Sequence, residues 1–297
     1  MSKITYDDIL RILIDNNNFY QFKYDFEGFR DFLIEQYINE RPLFWDSLTY
    51  YRVYSIKKSL LNDFDAITVI TGYEGSGKSV LASQIATTVS PSFHKGLVGY
   101  DPEDLARMVN DLQKGDTIWI DEGGLFLFSR DSTKGANKIL IKFLTICRQL
   151  NVHVIICVPN FFILDTYLRD HRVKYLFHIV KNRKNFLLFK RDSIKVINYY
   201  GRQVKDVNRG LKYLSTDSAI KGTWTGDFGT TNTFSQKDYL DCKHENMKKF
   251  ALEMQELLNK DGILDDDVPV ILERRRTDDF IPPPPTPQKL QGSRVVS

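Results

Sequence analysis

Between Tyr6 and about Phe64, apolar residues recur every three or four positions. "YDDILRILIDNNNFYQF" and "FEGFRDFLIEQYINE" carry this spacing, which predicts amphipathic helices. At Ala66 the pattern changes. "AITVIT" (Ala66–Thr71) is a short, unbroken β-branched run, as a strand buried on both faces requires. Helical spacing returns in "SVLASQIATTV" (Ser79–Val89). From there the two periods alternate. "GLVGY" (Gly96–Tyr100), "DTIWID" (Asp116–Asp121), "VHVIICV" (Val152–Val158) and "VKYLFHIVK" (Val173–Lys181) predict strands. "DPEDLARMVNDLQ", "KGANKILIKFLTICRQL" (Lys134–Leu150) and the short "FILDTYLRDHR" predict helices, the first with Asp101 as its N-cap. Such alternation predicts an α/β fold around a parallel sheet.

Beyond the sheet, "FLLFK" and "IKVINYY" flank "RDS" and predict a β-hairpin over Phe186–Tyr200. "KGTWTGDFGTTNTF" predicts a loop, and "KDYLDCKHENMKKFALEMQELLNK" (Lys237–Lys260) a helix. The final "DDFIPPPPTPQKLQGSRVVS" has a proline run and no pattern able to bury a core, which predicts a disordered tail or interaction arm. The organisation expected is a helical module over 1–64, a core with a basic hairpin over 65–200, an appendage with a helix over 201–268, and a proline-rich tail over 269–297. The first 64 residues carry no chemical motif.

At 297 residues, 42% of them hydrophobic and 27% charged, the chain has ample material for a core. The three cysteines (Cys147, Cys157, Cys242) form no CxxC pair, so reduced thiols are expected rather than a disulfide scaffold. The N-terminus lacks the apolar core of a signal peptide. The most apolar stretch, "VHVIICVPNFFIL", is interrupted by His153, Pro159 and Asn160 and falls short of the roughly 20 residues a membrane helix needs. A cytoplasmic protein without membrane insertion is expected. Net charge is only +3. Its distribution says more. Residues 169–212 hold thirteen Lys and Arg against three Asp, a net of about +10, which leaves about −7 for the remainder.

The candidate chemistry begins in "VITGYEGSGKSVL". Gly72, Tyr73, Glu74, Gly75, Ser76, Gly77, Lys78 and Ser79 fit the spacing G-x-x-x-x-G-K-[ST], with Val80 continuing the helix. Glycines let the backbone turn its N–H groups inward toward phosphate oxygens. The helix starting near Lys78 adds its positive end. Lys78 is placed to reach the β- and γ-phosphates of ATP, and Ser79 to ligate Mg²⁺. "TIWIDEG" supplies the partner motif. Asp121 at a strand end would hold Mg²⁺ through water, and Glu122 would accept a proton from water aligned on the γ-phosphate. The adjacent Asp-Glu favours ATPases that carry an extra strand between the phosphate-loop strand and the Asp strand. "VHVIICV" is expected to be that strand. Asn160, just past its end, is the candidate sensor of the γ-phosphate, with ordinary turn chemistry as the alternative. Arg148, before that strand, is a candidate finger for a neighbouring subunit's site, with a helix-end cation as the alternative. Arg169 is a second such candidate. His153, His171 and His178 have no metal-ligand spacing with the cysteines.

The series "GYEGSGKS", "IWIDEG", "CRQLNVHVIIC", "ILDTYLRDHR" resembles the HerA/FtsK superfamily of DNA-pumping ATPases. Within it, the chain is most similar to viral genome-packaging ATPases and to zonula occludens toxin-like assembly proteins of filamentous phages. The resemblance covers roughly residues 65–180. It implies that Lys78 and Ser79 handle phosphate and Mg²⁺, that Asp121 coordinates Mg²⁺, that Glu122 activates water, and that Arg148 stands where the family has its arginine. It also implies a ring, usually a hexamer, threading DNA through a basic channel. Two departures stand out. The family's Thr-Gln at the end of the fourth strand is replaced by Cys157, Val158, Pro159 and Asn160. The transmembrane segment usual in the toxin-like proteins is not found in this sequence.

Three functions follow as expectations. The first is a DNA-translocating ATPase for viral or mobile-element genome packaging, holding double-stranded DNA through the basic segment 169–212. The second is a phage-assembly ATPase acting on a protein captured by the N-terminal module or the proline-rich tail. The third is a nucleotide-binding switch without motor activity.

Overall fold

The computed structural model describes residues 3–18, 25–121, 134–180, 184–202, 205–207 and 219–260. The chain divides into two compact units, Met1–His244 and Glu245–Ser297. The first contains the sheet. In chain order its helices and strands are α1 (Tyr6–Asn18), α2 (Phe26–Ile38), α3 (Ser47–Leu61), β1 (Ala66–Thr71), α4 (Lys78–Val89), β2 (Val98–Gly99), α5 (Pro102–Met108), β3 (Thr117–Ile120), α6 (Lys134–Gln149), β4 (His153–Val158), β5 (Tyr175–Ile179), β6 (Asn185–Lys190), α7 (Arg191–Gly201) and β7 (Ile220–Thr223). A last helix, α8 (Gln236–Lys260), begins in the first unit and continues into the second.

The strands form one sheet in the order β2-β3-β4-β1-β5-β6-β7. The five strands from β2 to β5 run parallel, while β6 and β7 are antiparallel additions. This is the α/β phosphate-loop fold expected, with β4 as the extra strand. It pairs Ala66–Thr71 with His153–Val158 on one side and Thr117–Ile120 with His153–Ile156 on the other. Every residue of β1, β3 and β4 is buried, so these strands read as unbroken apolar runs rather than alternations. Asp101 caps α5 as expected, accepting from the Asp104 amide at 2.8 Å, with Pro102 in the first helical position where it sacrifices no bond.

The N-terminal helices share the core of the sheet. Leu33, Val53 and Ile56 are fully buried in the same cluster as Val69 and Leu81. Asp46 ties α3 to β7: it caps α3 through the Thr49 amide at 2.9 Å and accepts from the Thr223 amide at 2.6 Å. Trp45 and Trp224 extend this link by an isolated β-bridge.

Three local expectations are corrected. The hairpin over Phe186–Tyr200 does not form. Phe186 lies in β6, but Arg191–Gly201 is helix α7, whose buried residues Ile194, Ile197, Asn198 and Gly201 keep a three- and four-residue period. The hairpin that does form joins β5 to β6, pairing Tyr175 with Lys190 and Ile179 with Phe186. "FILDTYLRDHR" is not one helix but a 3₁₀ turn at Phe161–Ile163 and a wide turn at Leu168–Arg172. Within "KGTWTGDFGTTNTF", Lys221, Gly222 and Thr223 belong to β7.

Candidate functional site

The loop after β1 turns on glycines where other residues would be strained. Gly72, Gly75 and Gly77 have φ of 152°, 66° and 96°. Gly77 is also sterically confined, since a Cβ there would lie 2.6 Å from Cη2 of Trp224. Gly77 is the N-cap of α4 and brings no side chain to cap it, so the first amides of the helix stay available to an anion. The Lys78 ammonium folds back on its own loop, donating to the carbonyls of Gly72 at 3.1 Å and Tyr73 at 3.0 Å. No carboxylate pairs with it among the described residues. Ser76 Oγ is buried and has no partner among them either.

The second half of the site comes from β3. Through the shared strand β4, Ile120 is level with Ile156, and Ile156 with Val69. Asp121 therefore emerges beside the helix that follows the loop. It is 1% exposed, and Ser79 Oγ donates to both of its carboxylate oxygens at 3.2 Å. A hydroxyl and a carboxylate facing each other are the hard oxygen donors that Mg²⁺ takes, the remaining positions falling to phosphate and water. The pair fits that ion, although among the described residues no cluster of three His, Cys, Asp or Glu surrounds it. Behind the carboxylate, Cys157 is fully buried, and burial raises its thiol well above the ordinary range, which keeps it neutral.

The other sequence candidates fall elsewhere. Glu122 lies outside the described residues. Asn160 is engaged in local structure: its side-chain Oδ1 accepts from the Phe162 amide at 2.9 Å, capping the 3₁₀ turn, and its Nδ2 donates to the Lys205 carbonyl at 2.9 Å. Arg148 is exposed at the end of α6. It lines a basin of about 400 Å³ with Asp65, Arg172, Lys174 and Arg191, at the edge where the parallel strands begin. The loop sits where β1 ends, about 20 Å away at the rise of a six-residue strand. Within one chain, then, Arg148 and Lys78 sit at opposite edges of the sheet. Arg169 is 7% exposed and fully engaged, donating to the Leu164 carbonyl at 3.0 Å and to Asn198 Oδ1 at 2.8 Å, over the Phe162 ring. Its guanidinium is thus engaged within its own chain. His153 lies inside the sheet, its Nε2 2.8 Å from Thr68 Oγ1, with burial pushing its pKa down to about 3. His178 Nδ1 lies 2.9 Å from Thr71 Oγ1, and burial lowers its pKa as well.

Sequence reasoning missed a strap over the loop helix. After β7, residues 224–234 run along α4: Gln84 Nε2 donates to the Asp227 carbonyl at 2.6 Å, and the Gly229 amide to Ser83 Oγ at 2.8 Å. Beyond the strap, Tyr239 in the first turn of α8 donates its hydroxyl to Asp121 Oδ2 at 2.8 Å. The available signal was aromatic: Trp224, Phe228, Phe234 and Tyr239 punctuate an otherwise polar stretch, and all four are buried.

No protein-family model matches the chain, and no curated protein matches it. Among solved structures, the N-terminal domain of zonular occludens toxin from Neisseria meningitidis aligns over 59% of this chain and 97% of its own, at 18% identity and a TM-score of 0.35. The FIGL-1 AAA domain in complex with ADP aligns over 68% of this chain and 87% of its own, at 14% identity and a TM-score of 0.31. At scores this low, neither speaks to the chemistry here.

Proposed function

We propose that the chain binds ATP with Mg²⁺ and hydrolyses it, and that the hydrolysis drives movement of DNA. The observation that carries the first part is the arrangement of Lys78, Ser79 and Asp121 across the three strands β1, β4 and β3. Lys78 would exchange its two carbonyl partners for phosphate oxygens, a stronger, charge-assisted contact. Ser79 would turn from Asp121 to Mg²⁺, leaving the carboxylate to hold the ion's water. The bound ion supplies charge neutralisation at the phosphates. Glu122, next in sequence to Asp121, is the proposed acceptor of the proton from the attacking water. Glu122→Gln should retain ATP while turnover falls by about 100-fold or more. A variant that hydrolyses at the normal rate removes Glu122 from that role.

The DNA reading is supported by the excess of basic residues over 169–212. Part of that charge is spent internally: Arg172 and Lys174 face Asp65, and Arg202 faces Asp170. Lys181, Arg183, Arg209 and Lys212, outside the described residues, are the proposed phosphate contacts. Self-association into a ring, usually hexameric in the resembling family, completes the proposal: it would bring a neighbour's Arg148 to the nucleotide, which its own chain's geometry does not do. ATPase rates measured with and without double- and single-stranded DNA, at two salt concentrations, test the reading. Stimulation by duplex that fades as salt rises is expected. Rates indifferent to DNA at low salt would sink it.

A second reading, work on a protein, is favoured by one feature. Tyr6, Leu10 and Ile14 form an exposed apolar row on α1, with Ile34, Tyr37 and Ile38 exposed on α2. It predicts DNA-independent ATPase activity that is retained when Leu10 and Ile14 become polar, while capture of a phage-assembly partner is lost.

A further inference from the structure

The hydroxyl of Tyr239 touches the Asp121 carboxylate from a position 118 residues later in the chain. Asp121 is almost wholly buried, and a carboxylate in such surroundings needs donors to hold its charge. Among the described residues, the hydroxyls of Ser79 and Tyr239 face it, beside the buried Cys157 thiol. They differ in what ligand binding would do to them. Ser79 belongs to the phosphate loop and leaves when it ligates Mg²⁺. Tyr239 stands in the first turn of α8, outside the loop that would close on phosphate.

Tyr239 is also fixed in place. Its ring stacks on Trp119 with centroids 4.9 Å apart and planes within 13°, and meets Phe228 at 5.5 Å. Trp119 in β3 and Asp121, just past its end, are two residues apart, so an extended chain sends both to one side. One flat ring can thus lie on the indole and reach the carboxylate together. Below the ring, Ser235 and Asp238 form a reciprocal capping box: Asp238 Oδ2 accepts from the Ser235 amide at 2.9 Å, and Ser235 Oγ from the Asp238 amide at 3.2 Å. This sets the first turn of α8 and hence the place of Tyr239.

We infer that Tyr239 is a positioning residue for the Mg²⁺ site: its hydroxyl keeps the Asp121 carboxylate turned toward the metal position when Ser79 releases it. A carboxylate has about four lone-pair sites, so the bond to Tyr239 leaves room for a metal-bound water. The inference rests on the nucleotide-binding reading above. Partners that orient a metal's ligands are commonly worth about 10- to 100-fold in metal affinity.

The test uses the full chain and a fluorescent ATP analogue. Affinity is measured in EDTA and then as Mg²⁺ is titrated in. Tyr239→Phe keeps the ring and its stacking. Its affinity in EDTA should equal that of the wild type, while the Mg²⁺ concentration giving half the tightening should rise about 10-fold. In an Asp121→Asn background, adding Tyr239→Phe should shift that concentration little further, because the partner is already altered. A Mg²⁺ midpoint for Tyr239→Phe within twofold of the wild type overturns the role of Tyr239 alone, as does an equal shift in both backgrounds. A wild type that binds no nucleotide, or a Lys78→Ala variant that binds as well as the wild type, overturns the nucleotide reading and this inference with it.

Discussion

The two edges of the parallel sheet carry polar groups in different states. Where the strands begin, charges are matched in place. Asp65 accepts from Arg172 at 2.8 Å and faces Lys174, and Asp63 faces Lys114 at 2.6 Å. Where the strands end, groups are matched poorly or only to each other. Among the described residues Lys78 has two backbone carbonyls and no carboxylate, and Ser76 Oγ has no partner. Buried polar groups are ordinarily satisfied, because an unmade bond costs about 1–3 kcal/mol. An edge that leaves them short is arranged for something that arrives later. The first edge holds the fold; the second carries the groups proposed to meet the nucleotide.

Substitutions at the two edges should therefore separate binding from stability. Lys78→Ala is expected to have the largest effect. It removes charge-assisted bonds to phosphate worth about 1.5–3 kcal/mol, so nucleotide affinity should fall about 100-fold. Its melting temperature should stay near that of the wild type, since only the two carbonyls lose a donor. A drop in stability comparable to the drop in binding would break the contrast. Asp65→Asn should do the reverse. It leaves Arg172 and Lys174 without their counter-charge at partly buried positions, at a cost of about 2 kcal/mol in denaturant unfolding. Nucleotide affinity should not change. If it falls tenfold, the two edges are coupled and the division into fold and site is too simple.

The same contrast explains what the sequence made legible. The phosphate loop could be read locally, because its glycines answer backbone demands that lie within eight consecutive residues. The place of β4 between β1 and β3 could be read from Asp-Glu following an apolar strand, and the pairing of β4 with both neighbours agrees. "IKVINYY" could not be read as confidently local. Its apolar residues suit a strand by type, but Ile194 and Ile197 pack at a helical period that only the neighbouring wide turn and β6 make decisive. The strap was illegible for a different reason. Tyr239 and Asp121 are 118 positions apart, and no periodicity encodes a contact of that range. Trp224 over Gly77 is hidden in the same way.

The smallest expected effect belongs to the middle of the sheet, and it sharpens the assignment of the first edge to stability. His153 begins β4 between Thr68, 2.8 Å from its Nε2, and Thr117, 3.5 Å from its Nδ1. Burial pushes its pKa down to about 3, against about 6.5 in an unfolded chain. Above about pH 6.5 the imidazole is neutral in both states and contributes no pH dependence. Between about 6.5 and 3 the unfolded chain takes up a proton that the folded chain refuses, so stability falls as pH falls. From pH 7 to 5.5 the loss from this group should be on the order of 1 kcal/mol. Urea unfolding of the wild type and of His153→Gln at both pH values isolates it. Glutamine can still bond the two threonine hydroxyls but does not titrate. The variant should lose about that much less stability on acidification than the wild type does, while its nucleotide affinity remains unchanged at neutral pH. Equal losses in the two proteins would mean that the acid sensitivity of the fold does not reside in the histidine at its centre.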